Sequence, residues 1–193
     1  MLKKDISEEE KQEYIDIIVK ESRRLSQLSS DVLELSRLEN KKEATERVTF
    51  NLSEQLRLVI AMLDSKWAEK NINFNLECEE INFNGNEKLL HHLWVNLIDN
   101  AVKFSPDNST VYISLLEEGN RIVATIKDEG CGMDEETRAR AFERLYRGEN
   151  SKATAGNGIG LTLAKRVCEI HKGNIYIEDT GNNGTTVKVL LNK

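Results

Sequence analysis

Near the middle of the chain, two asparagines and one lysine have the spacing of residues on one face of a helix. The stretch HHLWVNLIDNAVKF occupies residues 91–104. On an α-helix Asn96, Asn100 and Lys103 fall on one face, because they stand four and three residues apart. Carboxamide oxygens are suitable ligands for Mg²⁺, and a lysine ammonium suits phosphate. The sequence therefore predicts a helix whose polar face can hold a metal ion and a phosphate group.

The opposite half of the same helix is apolar. A helix with one apolar and one polar half packs against a core on one side only. Its apolar positions are Leu90, Leu93, Trp94, Leu97, Ile98, Ala101 and Val102. A row of amides is unusual on a core helix, so the polar face indicates a function.

A carboxylate followed by two glycines comes next, in the stretch DEGCGM at residues 128–133. Asp128 stands at the end of a predicted strand, where its carboxylate can accept a hydrogen bond from an exocyclic amine such as that of adenine. Gly130 and Gly132 would let the backbone approach a flat ligand closely. Taken alone, an aspartate before a glycine most often forms a simple turn.

Two further stretches could contact phosphate. The sequence GNGIGL at residues 156–161 opens a predicted helix, where backbone N–H groups bind anions. No predicted strand precedes it and no GK[ST] follows, so neither a Rossmann fingerprint nor a P-loop is present. The sequence FERLYR at residues 142–147 offers two arginines, although a solvated helix end would look the same.

The order of these motifs resembles the ATP-binding domain of bacterial sensor histidine kinases, in the GHKL (Bergerat-fold) superfamily. Residues 96–104 resemble the N box of that family, 128–133 the G1 box, 142–147 the F box and 156–161 the G2 box. The glycine turn at 181–185 resembles the last motif. The departures are small: Asn157 stands where threonine is common, and Cys131 and Met133 replace small or aliphatic residues.

The resemblance implies a role for each motif. Asp128 would bind the adenine amino group, with water shared by Thr185, and Phe104 would lie beside the adenine or ribose. Asn100 would ligate Mg²⁺ with support from Asn96, and Lys103 and Arg147 would hold phosphate oxygens. Residues 148–158 would act as a lid. The implied nucleotide-binding set is Asn96, Asn100, Lys103, Phe104, Asp128, Gly130, Gly132, Met133, Tyr146, Arg147, Gly156, Asn157, Gly158, Ile159, Gly160, Leu161 and Thr185, of which Asn96, Lys103 and Arg147 are the implied catalytic residues.

The implied activity is transfer of the γ-phosphoryl group of ATP to a histidine. ATP-hydrolysing relatives carry a carboxylate where Asn96 stands, and a carboxamide cannot take a proton from water at neutral pH. The final acceptor would be an aspartate of a response-regulator receiver domain. Two alternatives stay open: a Ser/Thr protein kinase of the same fold, and a nucleotide-sensing interaction module without transfer activity.

The elements that position these residues predict an α+β fold. Helical and hairpin patterns mix, which favours a two-layer sandwich of one mostly antiparallel mixed sheet under a helical layer. A long helix precedes it over residues 7–38, with a capping box at Ser7 and Glu10. Its seven-residue apolar repeat consists of Ile18, Leu25 and Val32 with Tyr14, Leu28 and Leu35.

By resemblance this helix is the second helix of a dimerisation and phosphoacceptor hairpin. The domains would be 1–42, a partial hairpin, and 47–193, the ATP-binding catalytic domain. The phosphoacceptor histidine would lie on the missing first helix of a longer parent kinase. That parent would be a homodimer that can be anchored in a membrane, with this part cytoplasmic. The chain itself is expected to be a monomer or a weak dimer.

The composition of the chain argues against several other classes of protein. The net charge is -6 and the sequence pI is near 5.3, which argues against a nucleic-acid-binding surface. No apolar run approaches the roughly 20 residues of a membrane span. The three cysteines are widely spaced, so reduced thiols are expected and zinc is not. His171 is interpreted as a cation that complements the end of a helix.

Overall fold

The computed structural model describes residues 7–39, 46–148, 156–178 and 184–193. Within these residues the chain forms five α-helices: α1 (Glu8–Glu39), α2 (Leu52–Lys66), α3 (Glu87–Phe104), α4 (Glu135–Arg140) and α5 (Gly160–Ile170). The strands are β1 (Val48–Asn51), β2 (Asn73–Cys78), β3 (Asn82–Gly85), β4 (Thr110–Glu118), β5 (Arg121–Lys127), β6 (Asn174–Glu178) and β7 (Thr186–Asn192). A one-turn 3-10 helix, Ala68–Lys70, follows α2.

The larger sheet has five strands in the order β2-β4-β5-β7-β6. Strand β2 runs parallel to β4, and every other neighbouring pair is antiparallel. Strands β1 and β3 form a separate antiparallel pair. The parallel pairing requires a long crossover between β2 and β4, and helix α3 lies in that crossover.

One face of the sheet carries the core. Alternate residues of its strands are buried against the helices, and the facing side of α3 is buried with them. The strand residues include Val111, Ile113, Leu115, Ile122, Ala124, Ile126, Val187, Val189 and Leu191. On α3 every apolar position predicted from the sequence is buried. The predicted α+β class, with one helical layer on a mixed sheet, is therefore confirmed.

The first turn of α3 is fixed by its cap. The Asn86 side chain accepts a hydrogen bond from the Leu89 N–H (3.0 Å), a contact of a kind that contributes about 1 kcal/mol. The pair Asn84-Gly85 is typical of a turn in sequence, but both residues belong to β3 and pair with β1. The chain turns into α3 at Asn86 instead.

His171 is neutral rather than a helix-end cation, which corrects the interpretation from sequence. It is 2% exposed, and burial lowers its pKa. Its Nε2 accepts a hydrogen bond from the Asn86 N–H (3.0 Å), while Nδ1 lies 2.8 Å from the Val167 carbonyl oxygen. Because Nε2 accepts, the proton belongs on Nδ1. The neutral ring therefore ties the end of α5 to the start of α3.

The apolar side chains of helix α1 are exposed over most of its length and buried near its end. Tyr14, Ile18 and Leu25 are 53%, 62% and 67% exposed, so most of the predicted heptad seam is bare in this single chain. Leu35 and Leu38, near its end, are buried in the core. The Arg166 guanidinium of α5 donates two hydrogen bonds to the Leu38 carbonyl (3.3 and 3.2 Å). The last turns of α1 thus pack against α5 and the core of the chain.

No helix among the described residues is both long and apolar enough to cross a bilayer.

Candidate functional site

The three polar residues that were predicted to share one face of α3 do so. Asn96, Asn100 and Lys103 are all half-buried on the side opposite the core. The Asn96 Nδ2 donates to the His92 carbonyl one turn earlier (2.9 Å), which leaves its Oδ1 pointing away from the helix. This oxygen is therefore available as an acceptor or a metal ligand.

The glycine loop at residues 156–161 lies directly over this face. A Cβ added at Gly160 would stand 2.9 Å from Asn96 Oδ1 and 3.8 Å from Asn100 Nδ2. A Cβ at Gly156 would collide with the Lys103 ammonium. Only a loop without side chains can approach the amides and the ammonium so closely. The structure thus brings together the two motifs that the sequence separates by about 60 residues.

Lys103 lies in an electrostatic environment that favours an anion. Burial is the main cause that lowers the pKa of its ammonium, and the nearby charges of Arg147 and Lys66 lower it further. Asp99 acts in the opposite direction. The ammonium also lies 4.9 Å from the centre of the Phe104 ring. A bound phosphate would relieve the repulsion between these cations and favour the charged form of Lys103.

The arginine-rich stretch after α4 is joined to the glycine loop through the backbone. The Leu145 N–H donates to the Gly158 carbonyl (2.9 Å), and a Cβ at Gly158 would press on the Tyr146 carbonyl. Leu145 holds a left-handed backbone (φ 60°), which is costly for a bulky residue. The Arg140 guanidinium lies over the Tyr146 ring, with its central carbon 4.2 Å from the ring centroid. Strain of this kind persists only where the surroundings impose it.

Asp128 forms the other end of the site. It is 6% exposed, and its Oδ1 accepts hydrogen bonds from the Gly130 N–H (2.8 Å) and the Thr185 N–H (3.1 Å). The Asp128 N–H in turn donates to the Thr185 carbonyl (2.9 Å). Burial raises the pKa of this carboxyl to about 6, although both backbone bonds lower it. Among the described residues nothing donates to Oδ2, which can accept from a ligand.

Two glycines leave room for this arrangement. A Cβ at Gly130 would lie 2.6 Å from the Phe104 carbonyl oxygen at the end of α3. A Cβ at Gly184 would overlap the Asp128 carbonyl, and Gly184 adopts φ 106°. Both positions therefore require glycine, and they bring the Asp128 loop against the last turn of α3.

The other predicted site residues fall into two groups. Gly132 and Met133 are half-buried in the loop that follows Asp128, and Asn157 and Leu161 are half-buried in and just after the glycine loop. The Ile159 side chain is 2% exposed and belongs to the core, so only its backbone can face a ligand. The roles of all these residues in ligand binding stay predictions. Most of the predicted lid, and the first part of the glycine turn at 181–185, lie outside the described residues.

Contacts between distant parts of the chain, which the sequence did not indicate, hold α3 and the glycine loop in place. Asp99 accepts hydrogen bonds from the Lys66 ammonium (2.6 Å) and the Trp67 indole (2.8 Å). The Asn157 amide of the glycine loop reaches Asp31 of α1 (3.3 Å). These pairs are separated by 32 to 126 residues, so no local pattern could have indicated them.

The three cysteines are free and differ in environment. Cys131 is exposed between Gly130 and Gly132. Cys168 is buried, which raises its pKa to about 12. Cys78 is half-buried, and burial raises its pKa as well. Among the described residues no cluster of three His, Cys, Asp or Glu side chains could hold a metal ion by itself.

A family model and curated proteins match the chain. The model described as histidine kinase-, DNA gyrase B-, and HSP90-like ATPase matches residues 85–193. The heme sensor protein HssS of Staphylococcus saprophyticus is 34% identical over 183 residues, 95% of this chain and 39% of that protein. The sensor histidine kinase YvrG of Bacillus subtilis is 34% identical over 192 residues, 98% of this chain and 33% of that protein. The chain thus spans less than half the length of these relatives.

Solved structures share the fold. The histidine kinase AdeS of Acinetobacter baumannii superposes with a TM-score of 0.77 at 18% identity, over 92% of this chain and 83% of that one. The histidine kinase ThkA, solved in complex with the response regulator protein TrrA, gives a TM-score of 0.77 at 22% identity, over 97% of this chain and 52% of that one. At these identities the likeness establishes the architecture.

Proposed function

Because the chain belongs to the family of histidine kinase-, DNA gyrase B- and HSP90-like ATPases, we propose that it binds ATP with Mg²⁺ and donates the γ-phosphoryl group to a histidine. One observation carries the proposal. The face of α3 that bears Asn96, Asn100 and Lys103 lies under the glycine loop, and the buried carboxylate of Asp128 lies beyond the last turn of the same helix. Groups for phosphate and for a purine amine are therefore arranged along one helix.

The Asp128 end accounts for a preference for adenine. Its Oδ1 is occupied by two backbone N–H groups, so Oδ2 is the atom offered to a ligand. The exocyclic amine of adenine can donate to it, whereas guanine has a carbonyl oxygen at that position and would face a carboxylate. Leaving such a buried acceptor opposed by another acceptor costs about 1–3 kcal/mol.

The α3 end suits a nucleotide-bound Mg²⁺. Asn96 Oδ1 is directed outward by the bond from its own amide to His92, and Asn100 lies one turn further along. Carboxamide oxygens are hard ligands, and Mg²⁺ is ordinarily held by few protein groups together with phosphate oxygens. When bound, the ion would neutralise phosphate charge. Lys103 and Arg147 would hold phosphate oxygens beside it.

The proposed acceptor is a nitrogen nucleophile rather than water. Asn96 is a carboxamide, so it cannot deprotonate a water molecule as a carboxylate would. A neutral imidazole nitrogen needs no such base. It forms a bond to the γ-phosphorus while the bond to the bridging oxygen breaks, ADP departs with that electron pair, and the ring loses its proton to solvent.

The remaining partners follow from the same proposal. The exposed apolar seam of α1 suits a phosphoacceptor hairpin that pairs with a second copy, so the parent would be a homodimer. We further propose that this part of the parent lies in the cytoplasm. The phosphoryl group would then pass from histidine to an aspartate of a receiver domain. The relative ThkA was solved in complex with a response regulator, which supports a partner of that class.

Calorimetric titration tests the nucleotide site. ADP and a non-hydrolysable ATP analogue should bind saturably, Mg²⁺ should tighten binding of the analogue, and GTP should not compete. Equal affinity for ATP and GTP analogues, or no binding of either, would overturn the proposed site.

Transfer is tested separately, with a supplied phosphoacceptor hairpin from a related sensor kinase. Radiolabelled ATP should label the hairpin on histidine, and the label should be lost in acid but kept in base. An acid-stable label would identify a Ser/Thr kinase. Tight ATP binding without labelling of any hairpin would favour a nucleotide-sensing module.

A further inference from the structure

The last turn of α3 is held by one lysine from outside the helix. The Lys70 ammonium donates to the carbonyl oxygens of Val102 (3.0 Å), Lys103 (3.0 Å) and Ser105 (2.6 Å). An ammonium has three donors, and here all three are used on one backbone segment. Lys70 is the last residue of the 3-10 helix after α2, more than 30 residues earlier in the chain.

These carbonyls lack the partners that a continuing helix would supply. The Val102 carbonyl would normally accept from the N–H of residue 106, but residue 106 is proline and has none. Val102 is fully buried and Ser105 is 3% exposed, so water is a poor substitute there. The positive charge of Lys70 also complements the negative end of the α3 dipole. The lysine thus replaces the missing donors at the end of this helix.

Lys70 is itself fixed from its other side. The Asn108 N–H donates to the Lys70 carbonyl (2.9 Å), and the Asn71 amide donates to the Asn108 side chain (2.9 Å). Asn71 ends the 3-10 helix in a left-handed conformation (φ 49°). The ammonium therefore extends from a backbone that is tied to the loop following α3, and its reach sets where that helix ends.

The turn that Lys70 holds is the turn that carries the phosphate-facing ammonium. Lys103 contributes its carbonyl to Lys70 and presents its side chain towards Gly156. We propose that Lys70 is a positioning residue: by capping the last turn of α3 it fixes the Lys103 ammonium where nucleotide phosphates bind. The proposal rests on the proposed function, because it concerns the same site. The Asp128 loop packs against this turn, but the hydrogen bonds of Asp128 go to Gly130 and Thr185, so adenine recognition should depend on Lys70 far less than phosphate binding does.

The test compares ADP with adenosine in NMR titrations of the wild-type protein and of Lys70→Met. Methionine keeps most of the side-chain length but removes every donor. Both titrations are run at a temperature at which circular dichroism shows each variant folded. ADP affinity should fall at least tenfold, while adenosine affinity should change less than twofold. Lys188→Met, which breaks an exposed pair with Glu178 on the far strands, should change neither.

A double-mutant cycle separates positioning from simple stabilisation. In a Lys103→Met background, the further change Lys70→Met should alter ADP affinity less than twofold, because there is no ammonium left to position. An equal loss of ADP and adenosine affinity, or the same tenfold ADP loss in the Lys103→Met background, would show a merely structural cap and overturn the proposal.

If Lys70→Met does not fold, the variant Lys70→Arg is tested in its place. The guanidinium keeps donors and charge but cannot reproduce the geometry of the ammonium, so a selective ADP loss of about threefold is expected, again erased by Lys103→Met. A non-selective loss would overturn the proposal. Failure of the wild-type protein to bind ADP would refute the proposed function itself, before any variant is compared.

Discussion

The two ends of the candidate site are built in different ways. At the Asp128 end a carboxylate is almost completely buried, and two backbone N–H groups already occupy one of its oxygens. At the α3 end the Asn100 side chain makes no hydrogen bond among the described residues, and burial, with a smaller effect of Arg147 and Lys66, lowers the pKa of the Lys103 ammonium. The first end is organised by shape and hydrogen bonds, whereas the second consists of two amides and an ammonium that are only half-buried.

Because of this difference, substitutions at the two ends should have different effects on the stability of the fold and on ligand affinity. Glycines define the space around Asp128, so added volume there should disturb the fold as well as the ligand. Around Lys103 the surroundings are polar and half-open, so substitutions should change affinity and leave the fold intact. Four predictions test that division.

The largest effect is expected from Gly184→Ala. The new Cβ would overlap the Asp128 carbonyl, and φ 106° is strained for alanine, so unfolding free energy should fall by about 3 kcal/mol and ADP binding should be lost. Urea denaturation measures the first and calorimetry the second. Gly119→Ala is the control: it also has positive φ but open space around it, and should cost only about 1 kcal/mol. Similar losses in both variants would mean that the Asp128 end is not tightly built.

Asp128→Asn should affect the ligand and spare the fold. The amide oxygen can still accept from Gly130 and Thr185, but an NH₂ group replaces the oxygen offered to adenine. Binding of ADP, AMP and adenosine should weaken equally, by about 1–3 kcal/mol. Glu129→Gln, at the neighbouring exposed carboxylate that accepts from Thr110, should bind ADP normally. An effect on ADP but none on adenosine would place Asp128 at the phosphate end instead.

The raised pKa of Asp128 predicts how acid should act. The free protein protonates this carboxyl near pH 6, so adenine affinity should fall about tenfold between pH 7 and pH 5, and Asp128→Asn should show no such dependence. Stability should respond oppositely. The folded state binds this proton more tightly than the unfolded state does, so the wild-type protein should gain stability relative to Asp128→Asn as pH falls from 6 to 4. His171, whose lowered pKa destabilises the folded state in acid, cancels in that difference.

The smallest effect is expected from Asn100→Ala. Losing one carboxamide ligand should reduce the enhancement of ATP-analogue affinity by Mg²⁺ several-fold, while affinity without Mg²⁺ changes little. Titrations with and without the ion measure this ratio. Asn75→Ala, at an exposed position of β2, should leave the ratio unchanged. An unchanged ratio in Asn100→Ala would remove this residue from the metal-binding set.

The sequence was informative where a periodic pattern or a short motif determines the outcome. The apolar half of α3, the capping box at Ser7 and Glu10 and the alternation of the strands each depend on residues within a few positions of one another. The fold class was accordingly predictable. The glycine loop over α3 was predictable only through the resemblance, because nothing local relates residue 160 to residue 96.

What could not be predicted depends on long-range contact. His171 reads as an exposed helix-end cation until Asn86 and Val167 are seen to enclose it, and burial then makes it neutral. Lys70 reads as an ordinary surface charge until the carbonyls at the end of α3 are found around it. In both cases the side chain completes the end of a helix that lies elsewhere in the chain.

The thiols provide a built-in reporter. Cys168 is buried with a pKa near 12, and burial raises the pKa of Cys78, so Cys131 is the thiol that a maleimide dye should modify first. Cys131 directly follows Gly130, whose N–H donates to Asp128, so such a dye would stand at the mouth of the proposed adenine pocket. Labelling of the native chain should therefore yield a fluorescent sensor of nucleotide occupancy without any engineered cysteine.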